Sequence, residues 1–211
     1  RASAEAAAPA LARAGAGVGA RLLAAVTATR AAVGQNTNLG ILLLCAPLAA
    51  AAERPEPLPR AVARVLRELT VADARAAYAA IRLAAPGGLG RVDAADVRDE
   101  PTITLLEAMR QAAARDRIAW NYVHDLRDVL GRGVRRLEAL TARGWSEPWA
   151  VTGTYLAFLA GTPDSHVARK QGPAAALALT RRVAPLARRL LASERPEALT
   201  DELLADRKSV V

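Results

Sequence analysis

From Leu39 to Ala52 the chain carries no polar side chain: Leu39-Gly40-Ile41-Leu42-Leu43-Leu44-Cys45-Ala46-Pro47-Leu48 runs on into four alanines. A helix that is apolar all round belongs among other helices. It is too short to span a membrane, which takes about 20 apolar residues. Pro47 is expected to bend it or to end its first segment. Upstream, Val18, Leu22, Val26, Thr29 and Val33 recur at spacings of three and four, which puts them on one face of a helix over 18–33. Arg21 and Arg30 fall off that face. A helix over 4–14 is weakened by Pro9.

The same reading continues downstream. Pro59 suits a first helical turn, and a helix to Leu69 follows. Thr70-Val71-Ala72-Asp73 has the form of a capping box and opens a helix to about Ala85, closed by Pro86-Gly87-Gly88-Leu89-Gly90. Arg91 to Pro101 is the most polar internal stretch, with Asp93, Asp96, Asp99 and Glu100. Helices are expected from near Thr102, over 118–130, over 134–142, from Ser146 to Gly161, and over 173–192, where Pro185 invites a kink. Thr162 to His166 reads as a loop and Ala168-Arg169-Lys170 as a basic step. No segment has a trustworthy strand period. The fold class is therefore all-α: a single-domain helical bundle around a buried central apolar helix, over residues 1–205.

Composition sharpens this picture in three ways. Hydrophobic residues make up 52% and aromatics only 3%, with alanine and leucine dominant, which favours helix over sheet. The net charge of +8 comes from residues spread along the chain without interleaved aromatics, so no nucleic-acid partner is expected. Cys45 is alone, which excludes an intrachain disulfide and a cysteine-rich metal site. His124 and His166 are far apart and make no metal-ligand pattern; each is read as hydrogen-bonded locally. The aromatic residues read as packing. No signal peptide or membrane span is visible, so the expected location is the cytoplasm. Homo-oligomerisation is left open.

Chemistry concentrates at the entrance to the apolar helix. Gly34-Gln35-Asn36-Thr37-Asn38-Leu39-Gly40 is a glycine-bounded polar turn. Gly34 suits a left-handed helix end, Asn36, Thr37 and Asn38 are all N-cap types, and Gly40 permits close backbone approach. Such a turn is either a well-capped helix start or a receptor for an anion or sugar phosphate.

The turn resembles the G-x-N-T-x-x-G segment of the triphosphoribosyl-dephospho-coenzyme A synthase family. Asp164 to Gly172 resembles the family's late D-x-x-x-x-R-[KR]-x-G step, and the Pro86–Gly90 turn with the Asp96–Met109 segment resembles the branch found near one-carbon metabolism genes. The resemblance spans nearly all of residues 1–195. It implies an all-helical transferase that joins ATP to 3′-dephospho-coenzyme A with release of adenine. ATP is then a substrate and Mg²⁺ an expected companion of its phosphates. Gly34, Asn36, Thr37, Asn38 and Gly40 would bind ribose or phosphate, with Asp164, Arg169 and Lys170 as further binding residues. Asp96, Asp99, Glu100 and Glu107 would be the catalytic carboxylates, with Asp99 and Glu100 also as metal ligands. Each has a plainer reading: acidic residues before a helix complement its dipole, and Arg169 and Lys170 suit a solvated helix start.

Two family segments, an early K-P-G with its histidine-and-acid run and a late A-D-L, have no counterpart in this chain, so an inactive fragment is one expectation. Asp206-Arg207-Lys208-Ser209-Val210-Val211 resembles a translated sequencing adapter and is read as a non-native tail. The alternative functions are a related nucleotide- or pterin-processing enzyme of one-carbon metabolism and a non-enzymatic helical interaction module.

Overall fold

The computed structural model describes residues 1–86 and 96–199. The turn 87–90, Asp93 and the tail 206–211 lie outside the described residues. Among those described, every regular element is helical. The chain divides into two compact units, Arg1–Leu126 and the part from Arg127 onward.

In the first unit, α2 (Val18–Val33) is the helix against which others pack. Its predicted face holds: Val18, Leu22, Val26 and Thr29 are all buried. Helix α1 (Ala2–Leu11) lies antiparallel to it, since the Ser3 carbonyl meets Thr29 and the Leu11 carbonyl meets Arg21. The apolar helix α3 (Leu39–Ala52) also runs antiparallel, from Asn38 beside Thr29 back to Glu53 beside Arg21. Helix α5 (Val71–Ala84) runs parallel to α2: the Gly19 N–H donates to Asp73 Oδ1 (2.8 Å) at one end, and Arg30 donates to the Leu83 carbonyl (3.2 Å) at the other. A Cβ on Gly19 would stand 2.7 Å from Asp73 Cα, so only glycine lets the two helices approach this closely. Helix α4 (Leu58–Arg67) packs on α3, and α6 (Leu105–Ala112) on α7 (Arg117–Val123).

Two expectations are corrected here. Arg21 is not off the buried face; it is 1% exposed. Its guanidinium is held by the carbonyls of Ala16 and Leu11 and by Glu53 (2.5 Å), which satisfies the buried charge. Pro47 does not end α3, which continues through it to Ala52. Proline lacks the N–H that would bond the carbonyl four residues back, at Leu43. The fully buried Tyr122 of α7 donates its hydroxyl to that carbonyl at 2.7 Å and replaces the missing donor. The apolar helix is enclosed over most of its surface, while Ile41 is 63% exposed.

The second unit contains α8 (Val134–Ala142), α9 (Glu147–Gly161), α10 (Ser165–Gln171) and α11 (Pro173–Ala192). Leu140, Trp145, Ala150 and Leu190 form one apolar cluster, and Leu159, Val183 and Ala187 another. The expected helix over 118–130 is broken. Asp125 and Leu126 take left-handed backbone angles (φ 52° and 54°), and a π-helical stretch, Asp128–Gly133, leads into α8. The 165–171 segment, expected as a loop and a basic step, is helical because the Asp164 carboxylate caps the N–H groups of His166 and Val167.

Candidate functional site

Gly34 closes α2 in the left-handed conformation (φ 71°), its N–H donating to the Arg30 carbonyl at 2.8 Å. The chain then turns into α3. Asn36 Oδ1 accepts from the Leu39 N–H at 3.2 Å, which leaves its NH₂ as the group able to donate outward. Asn36 and Thr37 are exposed. Asn38 is different: its Nδ2 donates to the Ser3 carbonyl (3.3 Å) and to Thr29 Oγ1 (3.2 Å), so it ties α1, α2 and α3 together. Asn38 makes no side-chain cap on α3, so the first-turn amides of Gly40 and Ile41 receive nothing from it. Gly40 makes room for a side chain and not for backbone: a Cβ there would lie 3.1 Å from Ile118 Cδ1.

The acidic segment lies along α5. Arg82 donates to the Val97 carbonyl (2.6 Å), Arg75 pairs with Glu100 (2.8 Å), and the Leu105 N–H donates to the Thr70 carbonyl (3.3 Å). The segment therefore runs back along α5 from its C-terminal to its N-terminal end. Asp96 is buried, with Oδ1 accepting from the Arg98 N–H at 2.9 Å. Asp99 is exposed. Tyr78 sits on the same face of α5 as Arg75 and Arg82. Burial, and after it the negative charges of Asp96 and Asp99, push its hydroxyl above the ordinary tyrosine range, so it stays a neutral donor. Sequence reasoning counted Tyr78 as packing. The signal it missed is the Arg75, Tyr78, Arg82 spacing of three and four beside an acidic stretch.

Glu107 is placed elsewhere: its carboxylate accepts from the Thr104 N–H (2.8 Å) and hydroxyl (2.7 Å) in a capping box on α6. Those bonds hold its carboxyl below the ordinary range. The Gly34–Gly40 turn follows α2 at the end where Arg30 meets the Leu83 carbonyl and Arg82 meets the Val97 carbonyl, so the turn and the start of the acidic segment share the C-terminal end of the parallel α2–α5 pair. Asp164, Arg169 and Lys170 belong to the second unit. Asp164 caps α10, Arg169 donates to His166 Nδ1 at 2.8 Å, and Lys170 is exposed. His124 stacks on Trp120 (centroids 4.0 Å apart) and bonds its carbonyl, a local partner as expected.

No group of three or more His, Cys, Asp or Glu able to hold a metal ion occurs among the described residues. Mg²⁺ often uses one or two carboxylates together with substrate phosphates, and the exposed Asp99 fits that donor set. Glu100 would first have to leave Arg75. No helix among the described residues is long and apolar enough to cross a membrane.

Comparison with known proteins gives two matches. The family model for ATP:dephospho-CoA triphosphoribosyl transferase (CitG) matches residues 1–209, which reaches into the 206–211 segment. A crystal structure from Archaeoglobus fulgidus, bearing the provisional name triphosphoribosyl-dephospho-coA synthase, is similar in fold with a TM-score of 0.68. It is 23% identical, over 97% of this chain and 88% of that one. No curated protein matches.

Proposed function

The chain belongs to the ATP:dephospho-CoA triphosphoribosyl transferase family, and on that premise we propose that it joins ATP to 3′-dephospho-coenzyme A and releases adenine. The family match over residues 1–209 is the observation that carries this reading. The ribose 2′-hydroxyl of dephospho-coenzyme A attacks the anomeric carbon of the ATP ribose. A C–O bond forms there, the C–N bond to adenine breaks, the hydroxyl proton passes to a base, and adenine leaves with a proton of its own. The transition state is oxocarbenium-like, as in glycoside hydrolysis.

In this reading the Gly34–Gly40 turn takes sugar and phosphate oxygens. Asn36 donates through its NH₂, Thr37 through its hydroxyl, and the amides of Gly40 and Ile41 contribute the positive end of α3. Asn38 acts indirectly, by fixing the turn to α1 and α2. Asp96 and Asp99 are the carboxylates proposed to stabilise the cation and to accept the hydroxyl proton. Neutral Tyr78 is the donor beside them. Mg²⁺ would be held by ATP phosphates with Asp99 and would offset phosphate charge. Glu100 stays a second carboxylate on the same segment, Arg169 and Lys170 stay phosphate-binding residues and Asp164 a positioning one, while Glu107 supports α6.

The test is chromatographic detection of adenine from ATP with dephospho-coenzyme A. Asn36→Ala is expected to lower turnover about tenfold to a hundredfold, the cost of one hydrogen bond to a charged group. Unchanged turnover and ATP affinity in that variant would remove the turn from the nucleotide site. Absence of adenine from the unaltered chain would remove the reaction.

A further inference from the structure

The second unit carries a cleft of about 470 Å³ between the π-helical stretch with α8 on one side and α9 on the other. Along the first wall Arg127 and Arg135 flank Gly131, with Arg136 beside them. These three are exposed and have no carboxylate partner among the described residues. Arg132 differs: its Nη1 donates to Asp128 and Thr162 at 3.3 Å each, so its charge is already compensated. On the second wall Val151 and Tyr155 are 52% and 60% exposed, and spacings of four and three continue their row to Phe158 in the cleft. A row of unpaired arginines and a row of uncovered apolar side chains thus run side by side. We propose that this surface docks an acidic amphipathic helix of a partner protein, with its carboxylates in the cleft and its apolar side chains over Val151 and Tyr155.

The dimensions and the charge agree with such a partner. From Arg127 to Arg136 the row extends roughly 12 Å at the rise of a helix, and carboxylates at i, i+4 and i+7 of a facing helix cover about 10 Å. Gly131, Ala139 and Ala157 carry no bulky side chain, so a ridge of glutamates or aspartates enters the cleft while the partner's backbone stays outside. Arg135 is anchored by its Nε to the Gly131 carbonyl at 3.1 Å, which leaves its terminal nitrogens for a carboxylate. Like charges gathered this closely oppose one another, and an acidic partner removes that cost. Arginine clusters recognise acidic motifs in this way, and arginine with tyrosine is the pairing in which interface energy concentrates. A nucleotide or a free phosphate chain would leave Val151 and Tyr155 uncovered. A membrane surface is flat and leaves the cleft between two helices unfilled. A nucleic-acid strand needs a series of open aromatic faces; of the two rings here, Phe158 lies under the Arg132 guanidinium (4.7 Å).

The surface lies wholly in the second unit and its test reads no turnover, so it stands or falls separately from the transferase reading. The probe is a fluorescently labelled peptide of about 20 residues, long enough to be helical alone, with glutamates at i, i+4 and i+7 and a leucine directly after each. Anisotropy titration with the full chain is expected to show binding that weakens with salt and is at least about fivefold tighter than that of a scrambled peptide of the same composition. Arg127→Ala with Arg136→Ala, Arg135→Ala alone and Tyr155→Ser should each weaken it about fivefold or more. Arg181→Ala with Arg188→Ala removes two charges from the exposed surface of α11 and should leave binding unchanged. No binding, equal binding of the scrambled peptide, full affinity in Tyr155→Ser or equal loss in the two double variants overturns the proposal. So does displacement of the peptide by equimolar ATP, which gives the cleft to a nucleotide, or tighter binding of a single-stranded oligonucleotide or of phosphatidylserine vesicles.

Discussion

Tyr122 is fully buried, and its hydroxyl donates to the Leu43 carbonyl that Pro47 leaves without a helical donor. The bond is a substitute inside a helix, so its worth depends on the proline. Tyr122→Phe should cost about 1–3 kcal/mol, the penalty of a buried carbonyl left unsatisfied. In a Pro47→Ala background the helix can supply its own N–H, and the cost of Tyr122→Phe should fall towards zero. Denaturant titration of the four variants reads this as a coupling energy. Equal costs in both backgrounds would mean that the tyrosine contributes through packing alone. The family resemblance and the hydrophobic pattern both leave this pair unmarked, because a proline and a tyrosine 75 positions apart share no local signal.

Asp73 shows how one side chain sets two helices. Its Oδ2 accepts from the Thr70 N–H (2.9 Å) and hydroxyl (2.8 Å), closing the capping box of α5, while its Oδ1 accepts from the Gly19 N–H in the first turn of α2. Asp73→Ala removes caps from both N-termini and should cost about 2 kcal/mol, roughly twice a single cap. Its effect should exceed that of Glu107→Ala, whose carboxylate caps α6 alone; thermal unfolding by circular dichroism gives the comparison. The α5 box was legible, as were α2, α8, α9 and α11, because caps, prolines and apolar spacing are local. The second role of Asp73 was not, since it depends on Gly19 approaching from another helix. The same limit explains Arg21, which the helical wheel of α2 puts off the apolar face and which the carbonyls of Ala16 and Leu11 make welcome there. Of the candidate site, the polar turn and the acidic segment could be named from sequence. That Asn38 is a bracket, that Glu107 is a cap and that Tyr78 lies beside Asp96 and Asp99 required the packing of α1, α5 and α6.

At the scale of the first unit, the shifted carboxyl groups of Glu53, Glu68 and Glu107 and the shifted phenols of Tyr78 and Tyr122 define a pH window for stability. Glu53, Glu68 and Glu107 are held below their ordinary value of 4.5: Glu53 by hydrogen bonds from Arg21 and the Gly15 N–H, Glu68 by Arg64 and Arg54, and Glu107 by Thr104. A lowered carboxyl contributes stability that is complete above its unfolded value and is lost as pH falls through the folded one. Tyr78 and Tyr122 are raised above 10.0, chiefly by burial, and contribute stability that is complete below that value and is lost as pH rises. The unfolding temperature should therefore be level between about pH 5 and pH 9 and fall on both sides. Glu53 bears most directly on the acid limb because its partner Arg21 is buried, so protonation strands a guanidinium without its counter-charge. Glu53→Gln should lower the melting temperature at neutral pH and leave it nearly unchanged at the acid end, which flattens the acid limb. Melting curves that stay parallel to those of the unaltered chain down that limb would show that the Arg21–Glu53 pair carries none of the pH dependence.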